Sequence, residues 1–281
     1  MGKIRFVTDS TSDYTQEEAQ RLGIDMVCLR LYFDGIEYID GVTISKEEFY
    51  HKLVDEHKYP KTAQATVDEF EAIFKDAKEN GDDVIVTVIS SGLSGTINSA
   101  NIAKENVEYD RIHIIDSKTT VGGLRILVET GMKLVSEGKN VEEVVSELTS
   151  LTDRIQLFAC MNTLEYLHKG GRLSGVGAMI GGLINLKPII SFDEAGKVKI
   201  SGKPIGKVRA NKEMIKLLQS NPIDTNYPVY YYYSQVEENL TKFIGNLQEQ
   251  GMYVEGINVN LSPVVGCHIG DKCYGLIYVR K

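Results

Sequence analysis

Serine, threonine and aspartate side chains are concentrated in three short loops, each of which follows an apolar strand pattern. The loops span residues 8–13, 90–96 and 116–119. In an open α/β sheet, ligands bind beyond the carboxyl ends of the strands, where these loops must lie. The first two loops contain neither Lys nor Arg, and a polyphosphate usually requires one of these side chains or a metal. The three loops therefore predict a site that binds a single carboxylate through hydroxyl and amide groups.

The loop around Ser94 is the strongest candidate for this site. Gly92 and Gly95 allow the backbone to approach a ligand closely, and the N-terminus of the following helix directs N–H groups towards the loop. One such loop is more often only a helix cap. Three of them at one sheet edge favour a binding site.

The same loop also supports a catalytic alternative. Residues 92–96 read Gly-Leu-Ser-Gly-Thr, which is similar to the G-x-S-x-G motif of serine hydrolases except for Thr96 at the last position. His268 follows late in the chain, in the order expected of a catalytic base. A serine hydrolase that uses Ser94 and His268 is therefore the enzymatic alternative.

The metal and nucleotide motifs in the sequence are incomplete. Cys267, His268 and Cys273 do not have the spacing of a zinc site and lack a fourth ligand. Gly175 begins a dinucleotide pattern, but Ile180 stands where a glycine is required, and there is no P-loop. We therefore predict neither a metal nor a cofactor.

Residues 173–186 contain no charged side chain and are rich in Gly, Met, Ile and Leu. Adaptable apolar side chains of this kind suit the wall of a binding cavity, although a buried core helix is the alternative. Combined with the hydroxyl loops, the segment predicts a pocket with a polar end and a long apolar body.

The composition is that of an ordinary globular protein, with 42% hydrophobic and 25% charged residues. The net charge of −8 argues against a nucleic-acid partner or an anionic membrane surface, because both depend on clustered Lys and Arg.

Four cysteines without regular spacing do not indicate a disulfide framework. The N-terminal residues lack the apolar region of a signal peptide, and no apolar run approaches the ~18 residues of a membrane span. We expect a cytoplasmic protein without stable membrane insertion.

The strand and helix patterns predict an α/β fold with two domains. Residues 1–152 alternate strands with helices, which predicts a three-layer domain around a parallel sheet. A hairpin is inserted near residues 26–45, where Asp34-Gly35 is a turn signal. Residues 153–281 predict a two-layer α/β domain with a mixed or antiparallel sheet. Its strands are expected near residues 155–159, 229–233, 253–259 and 276–279.

Six motifs occur along the whole chain: Thr-Asp-Ser-Thr-Ser-Asp at 8–13, Lys-Thr-Ala-Gln at 61–64, Ser-Ser-Gly-Leu-Ser-Gly-Thr at 90–96, Leu-His-Lys-Gly-Gly-Arg-Leu-Ser at 167–174, Lys-Pro at 187–188 and Gly-Cys-His-Ile-Gly at 266–270. In sequence and order they closely resemble the DegV family. Members of that family are fatty-acid-binding proteins, and some serve as the binding subunit of a bacterial fatty-acid kinase. The resemblance implies a parallel-sheet N-terminal domain, a second α/β domain and a buried acyl chain.

The resemblance also implies roles for individual residues. Thr62 and Ser94 correspond to residues that hydrogen-bond the fatty-acid carboxylate, with backbone amides near Gly95 assisting. His268 corresponds to a residue near the head group. Arg172 resembles a residue on the surface that meets the ATP-binding subunit of the kinase.

We therefore predict a non-catalytic carrier that holds a long-chain fatty acid and presents its carboxylate to a separate kinase. A lipid-sensing regulatory protein, which would not pass the lipid on, is a further alternative. The chain departs from the family pattern at two places. Ala65 stands where proline is common, and residues 270–273 read Gly-Asp-Lys-Cys where a Gly-Pro-Gly turn is common. The second departure changes the predicted partner surface.

Overall fold

A Thr or Asn followed three residues later by Glu predicts a helix start at Thr15, Thr66 and Asn140, and the structure confirms each of them. The computed structural model describes residues 2–173 and 185–281. In it, Thr15, Thr66 and Asn140 each accept a hydrogen bond from the third helical residue, whose Glu side chain accepts one in return. These reciprocal bonds satisfy N–H groups that a helix start leaves unpaired.

The described part of the chain contains ten α-helices and thirteen strands. The helices are α1 (Gln16–Leu22), α2 (Lys46–Tyr50), α3 (Val67–Asn80), α4 (Thr96–Val107), α5 (Gly122–Ser136), α6 (Val141–Thr152), α7 (Glu165–Lys169), α8 (Lys207–Ser220), α9 (Glu238–Glu249) and α10 (Pro263–Ile269). The strands are β1 (Ile4–Asp9), β2 (Ile24–Val27), β3 (Arg30–Phe33), β4 (Ile36–Ile39), β5 (Lys61–Ala63), β6 (Asp83–Val88), β7 (Ile112–Asp116), β8 (Ile155–Cys160), β9 (Ile189–Phe192), β10 (Val198–Gly202), β11 (Tyr230–Tyr233), β12 (Ile257–Asn260) and β13 (Tyr274–Val279).

These elements group into two compact units, each built from separate segments of the chain. The first unit consists of Met1–Ile44, Thr62–Asp153 and Glu194–Gly196, and the second of Ser45–Lys61, Arg154–Asp193 and Lys197–Lys281. The division into contiguous domains at 1–152 and 153–281 stays a prediction.

The first unit is built around a parallel sheet with the strand order β2-β1-β6-β7. Helix α3 packs on α4, helix α5 packs on α6, and all four helices contact β6. The central strands are fully buried at Val7, Ile85 and Val86, as expected for a parallel sheet that is covered on both faces. This arrangement confirms the predicted three-layer α/β architecture.

The predicted hairpin is formed by β3 and β4. Phe33 pairs with Ile36 across the turn at Asp34 and Gly35, and both turn residues have positive φ angles, as a two-residue hairpin turn requires. The polar residues of segment 61–66 predict a loop, which is partly wrong, because the first three of them form β5, which lies beside β3. Thr62 therefore lies on a short strand.

The second unit contains a six-stranded sheet with the order β10-β9-β8-β13-β11-β12. Only β11 and β12 are parallel, so the predicted mixed sheet is confirmed. The strand expected at 253–259 starts only at Ile257, because β11 is four residues long and Tyr253 instead stacks on Tyr231. The patterns did not predict β9 and β10, which are short and whose pairing depends on distant segments.

A buried carboxylate ties the first polar loop to the end of the central strand β6. Asp9 Oδ2 accepts a hydrogen bond from the N–H of Ile89 at 2.7 Å, and Oδ1 accepts bonds from the N–H and the hydroxyl of Thr11 at 2.8 and 2.6 Å. Asp9 is fully buried. Removal of the carboxylate would leave these donors without an acceptor, which costs more than the net value of the bonds themselves.

We therefore expect Asp9→Ala to lower the free energy of unfolding by about 2–4 kcal/mol, because buried donors lose their acceptor. The measurement is equilibrium urea unfolding followed by circular dichroism. Asp110→Ala is the matched control, because Asp110 is exposed in the same unit, and it should change stability by less than about 0.5 kcal/mol. Equal midpoints for the two variants would contradict the assigned role of Asp9.

Candidate functional site

The loop that carries Ser94 is wound around Ser90. The Ser90 carbonyl accepts hydrogen bonds from the N–H groups of Leu93 and Ser94 at 2.9 and 3.1 Å. The Ser90 hydroxyl accepts the N–H of Gly92 and donates to the carbonyl of Gly196, each at 3.0 Å. Ser90 is completely buried, so its role is to shape the loop rather than to contact a ligand.

The Ser94 hydroxyl lies at the start of α4. It accepts a hydrogen bond from the N–H of Thr96 at 3.2 Å and lies 2.9 Å from the Thr96 hydroxyl. When Thr96 donates in this hydroxyl pair, both lone pairs of the Ser94 oxygen are used and its proton is available. Ser94 is half-buried, whereas Thr96 is fully buried. In that orientation the pair presents one partly accessible O–H donor, which suits a carboxylate.

Gln64 connects the strand that carries Thr62 with the loop that carries Gly95. Its side-chain nitrogen donates to the Ser99 hydroxyl on α4 at 2.7 Å. A Cβ atom on Gly95 would lie only 2.0 Å from Gln64 Oε1, so the absence of a side chain at Gly95 permits this contact. Thr62 is half-buried, two residues before Gln64. Thr62, Ser94 and Gly95 therefore belong to neighbouring segments of the first unit.

Most of the other hydroxyl groups in the three loops are structural. Thr11 and Ser12 bond Asp9, Ser91 bonds the carboxylate of Asp116, and Ser117 bonds the Thr119 carbonyl. The hydroxyls of the first and third loops therefore have structural roles, in turns and in bonds between segments, and do not indicate a ligand. The Ser94 hydroxyl is partly exposed, and its bonding leaves a donor for a ligand when Thr96 donates to it.

The remaining two predicted site residues lie in the second unit. His268 is on α10, and Arg172 follows α7. The Arg172 guanidinium donates to the carbonyl of Gly170 at 2.6 Å, and a Cβ atom on Gly170 would lie 2.2 Å from His268 Nδ1. The absence of a side chain at Gly170 thus allows α7 and its following turn to pack against His268.

The environment of His268 favours the uncharged imidazole. Burial lowers its pKa to about 4, and the positive charge of Arg172 contributes in the same direction. Burial also lowers the pKa of Arg172. An uncharged imidazole at neutral pH can donate or accept a hydrogen bond but offers no positive charge to an anion.

Two residues that position the site were not singled out from the sequence. Gln64 lies within a quoted motif but was given no role, and Thr96 was noted only as a departure from the hydrolase motif. Their roles depend on contacts between segments, for which the sequence contains no signal. Of the predicted apolar wall at 173–186, residues 174–184 lie outside the described residues.

Within the described ranges, no group of three or more His, Cys, Asp or Glu side chains is arranged to hold a metal ion. The helices in the described part of the chain are too short or too polar to cross a membrane.

The lowered pKa of His268 predicts a pH-dependent stability. Between pH 6.5, the ordinary pKa of histidine, and pH 4, the unfolded chain binds a proton that the folded protein excludes, so stability falls as the pH drops. Between pH 7.5 and pH 5 the loss from this group is about 2 kcal/mol. His268→Gln should reduce the pH dependence of the free energy of unfolding, measured by urea titration, by that amount, whereas His168→Gln, at an exposed position on α7, should leave it unchanged. An unaltered pH dependence in His268→Gln would be inconsistent with a buried neutral imidazole.

Comparison with known proteins provides a whole-chain match. The model of the DegV family, described as one of uncharacterised proteins, matches residues 3–281. A DegV domain-containing protein of Caldanaerobacter subterraneus is 36% identical to the chain, and the alignment covers 100% of both.

Solved structures give the same result. A DegV family protein from Thermus thermophilus, described for its fatty-acid binding, superposes with a TM-score of 0.88 at 30% identity and 99% coverage of both chains. A stearic acid-binding protein from Eubacterium ventriosum superposes with a TM-score of 0.84 at 28% identity, covering 100% of this chain and 99% of the other. The chain therefore belongs to the DegV family.

Proposed function

We propose that this protein binds one long-chain fatty acid and acts as a carrier rather than as a catalyst. The observation that supports this most is the whole-chain likeness to the Thermus thermophilus protein, whose description names fatty-acid binding. The available O–H donor of Ser94, in a loop without Lys or Arg, is the second support.

In this proposal the fatty-acid carboxylate accepts the Ser94 hydroxyl proton in a hydrogen bond. Thr62 is the second hydroxyl donor, and the backbone near Gly95 contributes N–H groups at the start of α4. Gly95 allows the carboxylate to approach the backbone, and Gln64 holds the two segments side by side. Hydrogen bonds to a charged carboxylate are stronger than those between neutral groups, so a few donors suffice to orient the head group.

The acyl chain would supply most of the binding free energy. Burial of ~14–18 methylene groups at ~0.8 kcal/mol each gives a gross gain above about 10 kcal/mol, before the cost of ordering the ligand. The head-group residues then determine which end of the lipid is held and how it is oriented. This division of roles explains why the site needs no cationic side chain.

We further propose that the chain presents the bound carboxylate to a separate ATP-binding kinase subunit in the cytoplasm. In that reaction a carboxylate oxygen attacks the γ-phosphorus of ATP and ADP leaves, so that the carrier contributes orientation and no covalent step. The family resemblance assigns His268 a role at the head group and Arg172 a role in contacting the kinase. A lipid-sensing regulatory protein would bind the same ligand, and failure of a kinase to consume the bound fatty acid would favour that role.

The serine hydrolase alternative requires a base that accepts the Ser94 proton. The Ser94 hydroxyl is paired instead with the hydroxyl and the N–H of Thr96, and neither group is a base. This pairing favours the carrier over the hydrolase.

We expect Ser94→Ala to weaken fatty-acid binding by about tenfold or more, because one hydrogen bond to a carboxylate is lost. The measurement is a titration with oleate by calorimetry, after removal of the lipid that purifies with the protein. Ser91→Ala is a matched control in the same loop, because its hydroxyl is bonded to Asp116, and its affinity should equal that of the wild type. Equal affinities for Ser94→Ala and the wild type would exclude Ser94 as a head-group donor.

A fluorophosphonate probe separates the carrier from the hydrolase. Such probes label serine residues that a base has activated. We expect no covalent label on Ser94 by intact mass spectrometry, with a known serine hydrolase as the positive control. Stoichiometric labelling that disappears in Ser94→Ala would instead establish the hydrolase.

A further inference from the structure

Three lysines of the second unit lie in one hydrogen-bonded network. Lys187 Nζ donates to Asn162 Oδ1 at 2.7 Å, and Lys207 Nζ donates to Asn239 Oδ1 at 2.7 Å. Lys272 Nζ lies 3.1 Å from Asp271 Oδ2. The network therefore contains three ammonium groups.

The two asparagines link these lysines to one another. Asn162 Nδ2 donates to Asp271 Oδ1 at 3.3 Å, and Asn239 Nδ2 donates to the carbonyl of Lys272 at 3.4 Å. Each asparagine thus uses its oxygen to hold a lysine and its nitrogen to contact the 271–272 segment. The Lys187 and Lys207 ammonium groups are held by neutral amides that do not cancel their charge, whereas Lys272 is paired with the Asp271 carboxylate.

Backbone contacts bring two of these lysines together from distant parts of the chain. The N–H of Lys187 donates to the carbonyl of Pro204, and the N–H of Gly206 donates to the carbonyl of Asn185, each at 2.9 Å. Lys187 enters β9, and Lys207 is the first residue of α8. The two side chains therefore start from adjacent backbone segments.

The charge of the network is not balanced within it. Within the network three ammonium groups accompany the single carboxylate of Asp271, an excess of two positive charges. Glu238, which is paired with Lys242, also interacts with the charge of Lys207. Burial lowers the pKa of Lys187; Lys207 and Lys272 also lower it, whereas Cys160 and Asp271 raise it. Repulsion between like charges in one network costs electrostatic energy, which a bound dianion would offset.

The start of α8 adds to the positive potential. Its first turn contains no acidic residue, and Gly206 in the capping position provides no side-chain hydrogen bond. By contrast, α1, α3 and α6 each have acidic residues in the first turn and a capping box. A lysine at a helix N-terminus is unfavourable with respect to the helix dipole unless an anion lies between them.

We propose that Lys187, Lys207 and Lys272 form a binding site for a phosphate-class dianion, either inorganic phosphate or the phosphoryl group of a small phosphomonoester. Lysine is a common phosphate ligand that acts as a point charge, and the excess of two positive charges matches a dianion. The site is independent of the proposed fatty-acid binding, because none of its residues belongs to the head-group site, although Lys272 lies in the 270–273 segment of the predicted partner surface.

The test is calorimetric titration of the full-length protein at pH 8, with inorganic phosphate and with phenyl phosphate as separate ligands. Sodium chloride at the same ionic strength is the blank, because surface charge effects are screened equally by both salts. Lys187→Gln, Lys207→Gln and Lys272→Gln are compared with Lys203→Gln, which replaces an exposed lysine of the same unit outside the network. Circular dichroism and urea midpoints verify that each variant is folded.

We expect saturable binding to the wild type and to Lys203→Gln, and a loss of about tenfold in affinity for each of the other variants. Tighter binding of phenyl phosphate would identify a phosphomonoester as the ligand class, and binding of phosphate alone would identify the free ion. No saturable binding of either phosphate ligand to the wild type would overturn the proposal. Binding of an acidic protein to the same lysines would not rescue it. Equal affinities for the folded network variants and Lys203→Gln would also overturn it, and neither result would bear on fatty-acid binding.

Discussion

Polar groups at the carboxyl edge of a parallel sheet are buried by the helices that cover it, and buried donors must find acceptors. In the first unit, the Asp9 carboxylate is the acceptor for buried donors of two segments. It accepts hydrogen bonds from Thr11 in the first loop and from Ile89 after β6. Ser90 does the same for the next loop. Because these groups satisfy one another, the loops have a fixed shape. Ser94 can then be held at the start of α4 with its proton available to a ligand.

The local elements of the fold follow from the sequence because their signals are local. Thr15 with Glu18, Thr66 with Glu69, and Asn140 with Glu143 mark helix starts through bonds between residues three apart. The turn at Asp34-Gly35 is encoded in the same way. Strands whose pairing depends on distant segments are harder to predict, and β5, β9 and β10 belong to this class.

The residues of the candidate site also differ in whether local sequence reveals their role. Ser94 could be recognised from its glycines and from the absence of cations in its loop, whereas the roles of Thr62, His268 and Arg172 rested on the family resemblance. No local pattern indicates that Gln64 contacts Gly95 or that Gly170 contacts His268, because these contacts join segments that are distant in sequence. Nor does residue type reveal that Thr11, Ser91 and Ser117 are structural, because their chemistry is the same as that of Ser94.

The central claim is that the protein carries one fatty acid without modifying it or being modified by it. Native mass spectrometry of the freshly purified protein, followed by denaturation and lipid extraction, tests this claim most directly. The account predicts one additional mass equal to a long-chain fatty acid, which is released intact on denaturation and leaves a chain of unmodified mass. A protein that is purified empty and does not take up added fatty acid would contradict the account.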